Sequence, residues 1–170
     1  FEVTFLPVTH SIPESCALSI ITPRYKVLHT GDWKLDEHPL IGAPFSAAQF
    51  QALAPVDLVV ADSTNADVEG HSRSETEAAE ALESVIRACR GRVVVSCFAS
   101  NIARIKALGA IAERTNRRVA LLGRSMERMV SIATQLGYLD DFPPRVPAHD
   151  LGYLYPEEVL AFTPKGKVII

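Results

Sequence analysis

The stretch "RVVVSCFASNIARIKALGAIAERTNRRVALL", residues 92–122, sets one helix-period segment between two short β-prone runs. Residues 92–98 read as a strand because Val93, Val94 and Val95 are β-branched and contiguous. From Ser100 to about residue 114, Ile102, Ile105, Leu108 and Ala112 recur three or four apart and share one side of a helix. Residues 118–122 form the next apolar run. Strand, helix and strand in that order make a right-handed parallel crossover unit. Working outward, the alternation continues on both sides. Upstream, Ser72 or Ser74 caps a helix, each followed three residues later by a glutamate, Glu75 or Glu77. Ala78, Leu82, Val85, Ile86 and Cys89 then keep helical spacing until Gly91. Downstream come a helix over 125–136, a connection rich in proline (Pro143, Pro144, Pro147), a short helix over 156–162 and a strand over 167–170. The segment 71–170 is therefore expected to be a doubly wound parallel α/β layer.

Before residue 70 the pattern is different. Strands are expected over 1–8, 16–22 and 25–29, the last two separated by a Pro23-Arg24 turn. A short helix over 46–53 starts at Ser46 as N-cap, and 57–61 reads as a buried strand from its apolar run. Short strands joined by tight turns make a β-layer that needs cover from elsewhere. The chain opens inside one apolar strand and stops inside another, which predicts an internal piece of a longer protein.

At 170 residues and 48% hydrophobic content the chain suffices for a substantial core. It has no apolar run long enough for a membrane helix and no signal-peptide pattern at Phe1, so a soluble, cytoplasmic protein is expected. Cys16, Cys89 and Cys97 are odd in number and lack CxxC spacing, against a disulfide framework or thiolate zinc cluster. A formal charge of −3 gives no bulk attraction for polyanions, so a nucleic acid would need a local basic cluster or metal.

Three expected strand ends carry polar motifs: "DSTN" (62–65), "FASNIAR" (98–104) and "GRSMER" (123–128). In open α/β sheets ligands gather at such ends, where helix N-termini present free N–H groups. Ser100, Asn101, Arg124 and Ser125 are candidate phosphate contacts, with Arg104 also near; ordinary helix capping is the competing reading. In the first half, "VTHSIPES" (8–15) places His10, and "HTGDWK" (29–34) places Asp32, just past strands that share a rim if the strands are neighbours. Imidazole and carboxylate are metal donors, but such residues are as readily hydrogen-bonded turn groups. His29, His38, His71 and His149 form no HxH or HExxH pair to complete a site.

Taken in order, "THSIPES", "HTGDWKLDEHP", "ADSTN", "SCFASNIARI" and "LLGRSMERM" resemble the middle of a bacterial ribonuclease J, a metallo-β-lactamase-fold ribonuclease with a β-CASP insertion. The resemblance implies that 1–70 is part of the metallo-β-lactamase domain and 71–170 part of the β-CASP domain. It implies metal binding by His10, a metal-bridging carboxylate at Asp32, and a role for Asp62 in steadying a catalytic histidine. It implies two zinc ions in the intact protein, with the other ligands, an HxHxDH motif and later histidines, outside this chain. The isolated piece is then expected to bind zinc poorly and to cleave nothing. The implied activity is 5′ to 3′ exonuclease with endonuclease activity on RNA, in RNA maturation and mRNA decay. The RNA is expected in a cleft between the two layers, in a homodimer or homotetramer. Trp33 stands where many relatives have Phe, and Glu14 where many have Asp. Competing readings are a small-molecule metallo-hydrolase, a DNA-processing β-CASP nuclease, and a noncatalytic flavodoxin-like nucleotide-binding module. The last predicts that His10 and Asp32 lie apart.

Overall fold

The computed structural model describes residues 1–153 and 159–164 and divides the chain into two compact units, Phe1–Ser74 and Glu75–Ile170.

In the first unit, β1 (Glu2–Pro7), β2 (Cys16–Ile21), β3 (Lys26–His29) and β4 (Leu58–Val60) form a sheet in chain order. The first three are antiparallel, and β4 joins parallel to β3. Thr22 makes the turn before β3, its hydroxyl accepting the N–H groups of Arg24 and Tyr25. Because strand side chains alternate, Leu6, Ala17 and Leu28 fall on one face, where with Val8 they make a core against Trp33, Phe50, Leu53 and Val56. Helix α1 (Ala47–Gln51) is a little over one turn. Ser46 stands at its N-cap position without a side-chain capping bond, so the expected cap is only positional.

The expected burial of β4 is not met: Leu58, Val59 and Val60 are 54, 52 and 43% exposed. An apolar run shows what a strand can bury, whereas burial needs a second layer, and this unit supplies none over that strand. The same holds for Val3 and Phe5 on β1.

In the second unit, α2 (Glu75–Ala88), β5 (Val93–Cys97), α3 (Ile102–Arg114), β6 (Arg118–Leu121) and α4 (Arg124–Gln135) follow the alternation closely. Ile102, Ile105, Leu108 and Ala112 are all buried on α3, as their spacing requires. Fully burying each Ile or Leu contributes about 1.5–3 kcal/mol. On α2 the buried stripe is narrower than expected: Ile86 is buried, while Val85 and Cys89 are exposed. Gly109 on α3 admits the Phe142 ring to a position where a Cβ would come within 2.6 Å.

The end of the chain corrects the sequence reading. Of the helix expected over 156–162, residues 159–162 instead belong to β7 (Val159–Pro164), preceded by a 3-10 turn over Ala148–Tyr153. Residues 156–158 and the strand expected over 167–170 lie outside the described residues. β7 fills the centre of a parallel sheet ordered β5-β7-β6, with Leu160 opposite both Val93 and Val119. A short apolar run satisfies helix and strand periodicity alike. The slot between two strands decides it, because only a strand satisfies the N–H and C=O groups of both neighbours. From β5 to β6 the chain moves one way across the sheet, and from β6 to β7 it returns. Such a reversal of strand order is what a doubly wound parallel layer requires.

Two ion pairs fasten α2 to α3. Glu75, 6% exposed, takes Arg104 at 3.1 Å near the helix starts. Glu83 takes both Arg87 of its own helix and Arg114, each at 2.6 Å. The Arg114 and Arg87 guanidinium groups hold the Glu83 carboxyl down to about 2. Because the folded value is depressed, the stability it confers is complete above its ordinary value of 4.5 and is lost as pH falls towards about 2. Thermal unfolding of the chain is expected to lose midpoint across that window, and Glu83→Gln is expected to flatten this loss. Equal acid sensitivity in the variant would show that Glu83 does not carry it.

Candidate functional site

The first unit gathers its polar chemistry at the end of the sheet where β3 and β4 finish and where the chain leaves β1. Thr9 and Lys34 form an antiparallel bridge, with the Lys34 N–H donating to the Thr9 carbonyl at 2.9 Å. Thr9 is 5% exposed; its hydroxyl donates to the Lys34 carbonyl and accepts the Asp36 N–H at 3.1 Å. The loop bearing His10 is thereby stitched to the loop that follows Asp32. His10 is half-buried, with its Nδ1 3.3 Å from the Ser11 hydroxyl, and Asp32 is exposed.

Asp32 is held by its neighbours. Gly31 before it has a φ of +60°, a left-handed conformation where a Cβ would meet the Cys16 carbonyl at 3.2 Å. Trp33 after it is anchored between Phe45 and Phe50, with ring centroids 6.1 and 6.3 Å away. An aromatic at this position packs against both rings, as Trp33 does. Glu14 has a φ of +60°, a left-handed conformation that Asp adopts more readily than Glu.

Asp62 follows β4 and joins the same group. Its N–H donates to the Thr30 hydroxyl at 3.0 Å, and its carbonyl accepts the Trp33 indole N–H at 3.4 Å. Its carboxylate accepts the Thr64 hydroxyl and, at 2.9 Å, the Thr64 N–H. Those bonds, the hydroxyl's first, hold the carboxyl below its ordinary value, and the His10 charge acts in the same direction. A cavity of about 320 Å³ opens beside Asp62, lined also by Trp33, Lys34, Thr64, His71 and Ser72 among others.

In the second unit the expected phosphate contacts take two forms. Asn101 is 8% exposed and caps α3, its side-chain oxygen accepting the Arg104 N–H at 2.9 Å. The capping reading describes it. Ser100 is half-buried beside it, and its carbonyl accepts the Ile102 N–H at 2.9 Å. Arg104 is bound to Glu75 and does not offer a free charge. Arg124 and Ser125 open α4 behind Gly123 and are exposed. A separate cavity of about 440 Å³ lies at the end of β6, between Leu121, Glu127, Ser131 and Arg145.

With the parallel sheet and these motifs in place, comparison with known proteins becomes decisive. The family model described as "Ribonuclease J, beta-CASP domain" matches residues 90–165. Over 141 residues the chain is 46% identical to the Ribonuclease J of Mycolicibacterium smegmatis, covering 82% of this chain and 25% of that protein. Over 172 residues it is 39% identical to the Ribonuclease J of Sinorhizobium meliloti, covering 100% of this chain and 29% of that protein. The chain belongs to the ribonuclease J family. It spans between a quarter and a third of the length of these relatives. A crystal structure of a protein of unknown function from Enterococcus faecalis V583 shares the fold, with a TM-score of 0.61 at 18% identity, covering 99% of this chain and 41% of that one.

A ribonuclease J is a metallo-hydrolase, so the donor set of this chain bears on metal binding. His10 nitrogen and Asp32 oxygen are donor types that zinc accepts. Among the described residues no group of three His, Cys, Asp or Glu side chains comes together. The residues fit as part of a ligand set and fall short of a closed one. Sequence reasoning gave no role to Thr9, Thr30, Thr64 or buried Asp36, although each lies within a quoted motif. The signal for the first two was present: a Thr at a strand end, one residue before His10 or two before Asp32, is placed to bond backbone across the turn.

Proposed function

We propose that this chain contributes part of the active site of a metal-dependent ribonuclease that hydrolyses RNA phosphodiester bonds. The observation that carries the reading is the Thr9–Lys34 pairing, which stitches the His10 loop to the Asp32 loop. The named relatives supply the substrate class. His10 and Asp32 are the residues that hold metal. Two zinc ions held in part by His10 and Asp32 would supply an activated water and positive charge opposite the phosphoryl oxygens. Asp62 stays ionised through its Thr64 bonds and steadies a partner imidazole as a carboxylate beside a ligand does. Ser100, Asn101, Arg124 and Ser125 contact phosphate, Asn101 through its side-chain amide N–H, because its backbone N–H donates to the Phe98 carbonyl and its side-chain oxygen caps α3.

The family resemblance extends the reading to 5′ to 3′ exonuclease and endonuclease action in RNA maturation and mRNA decay, in the cytoplasm, by a homodimer or homotetramer. No helix among the described residues is long and apolar enough to cross a membrane. The flavodoxin-like module is disfavoured because it expects the His10 and Asp32 segments to part, whereas their loops are hydrogen-bonded together.

The test uses a protein of the relatives' length that contains this chain. Incubated with matched RNA and DNA strands bearing a 5′ monophosphate, it is expected to degrade the RNA. Chelation should stop cleavage and added zinc should restore it. Preferential cleavage of DNA would move the reading to a DNA-processing nuclease, and chelator-resistant RNA cleavage would remove the metal from it.

A further inference from the structure

Thr30 is the residue before the Gly31-Asp32 turn, and only 3% of it is exposed. Its hydroxyl donates to the Gly31 carbonyl at 2.8 Å and accepts the Asp62 N–H at 3.0 Å. Its own N–H donates to the Val60 carbonyl at 2.9 Å, so it is itself fixed to β4. A hydroxyl has one proton to donate and lone pairs to accept with, and here it uses both roles at once. Its two partners are the peptide groups that lead into Asp32 and Asp62.

That choice of partners has a geometric consequence. The Gly31 carbonyl lies in one plane with the Asp32 nitrogen. Fixing that carbonyl fixes the plane from which Asp32 departs. Gly31 cannot set it alone, since glycine is the residue least able to define its own dihedrals, although the His29 Nδ1 accepts its N–H at 3.0 Å. The Asp62 N–H is likewise oriented by the one oxygen atom. We infer that Thr30 is a positioning residue, whose hydroxyl locks the Asp32 turn to the Asp62 turn and so sets the spacing of the two carboxylates. The hydrogen-bonding part of this inference stands on the geometry alone; its effect on cleavage rests on the ribonuclease reading.

The experiment compares Thr30→Val, which keeps the shape and removes the hydroxyl, with Thr30→Ser, which keeps the hydroxyl. Both are made in a protein of the relatives' length that contains this chain. Groups that orient metal ligands from behind are worth about ten- to a hundredfold in activity or metal affinity. Thr30→Val is expected to lower kcat on RNA by about that factor with little change in KM, and Thr30→Ser to recover most of it. In the metal-free protein, amide hydrogen exchange at Asp62 should quicken in Thr30→Val and stay slow in Thr30→Ser. Wild-type kcat and wild-type Asp62 protection in Thr30→Val would overturn the inference. So would a serine variant as impaired as the valine one, which would make Thr30 a packing residue. If the unaltered protein cleaves no RNA, the ribonuclease reading fails. The exchange measurement then still decides the role of Thr30: faster exchange confined to the valine variant supports it, and unchanged exchange overturns it.

Discussion

Asp32→Ala, made in a protein of the relatives' length that contains this chain, is expected to lower kcat for RNA cleavage by about a thousandfold or more. A metal contributes several kcal/mol of transition-state stabilisation, and each 1.36 kcal/mol is about tenfold in rate. If Asp32 holds the metal as proposed, removing its carboxylate forfeits most of that contribution. The fold should survive, because Asp32 is exposed and the turn is held by Gly31, Trp33 and the Thr30 hydroxyl. The measurements are single-turnover cleavage, bound metal per chain and thermal unfolding, taken together. Lost cleavage and lost metal with an unchanged melting midpoint is the expected result. Retained metal and near-normal cleavage would remove Asp32 from the site, and a collapsed midpoint would make it a structural residue.

Arg117→Met is expected to cost about 3 kcal/mol of stability, from losing hydrogen bonds between a charged donor and the carbonyls at the end of α2. Arg117 is 8% exposed, an unusual place for a guanidinium. It sits where α3 ends in a Schellman-type turn: Asn116 has a φ of +54°, and the Arg117 N–H donates to the Ala112 carbonyl at 2.8 Å. From there its side chain reaches the end of α2, donating to the carbonyls of Cys89 at 2.6 Å, Gly91 at 2.9 Å and Ile86 at 3.5 Å. The last carbonyls of a helix have no partner within it and carry its negative dipole end, so a cation with several donors suits them. Methionine matches the length and satisfies none of these oxygens. For a unit near 100 residues each kcal/mol moves the midpoint by about 4–8 °C, so a drop of roughly 12–24 °C is expected. Arg117→Lys should recover only part, because an ammonium lacks the planar fork. A loss below about 1 kcal/mol for the methionine variant would mean that water caps α2 equally well.

Arg117 also shows why some of this protein escaped sequence reading. Nothing in "TNRRVALL" separates Arg117 from exposed Arg118 beside it. The difference arises because Asn116 turns the chain so that one arginine faces the end of α2 and the next faces water. The same limit applied to Asn101 and Arg104. Both were legible as polar residues at a strand end, yet one caps its helix and the other is bound to Glu75, a partner 29 positions away.

Periodicity by itself determined the strand-helix-strand order from 75 to 136, since apolar residues three or four apart must share a helix face and β-branched runs favour strands. The ordered motifs also identified the family and nominated His10, Asp32 and Asp62. Tertiary structure decided that 159–162 is the central strand, that β4 is exposed, and that two buried threonines join the loops of the candidate site. The physical reason is the same in each case. Local sequence limits what a segment can bury or bond, but the partner that accepts the bond or covers the surface comes from a distant part of the chain, and only the folded arrangement supplies it.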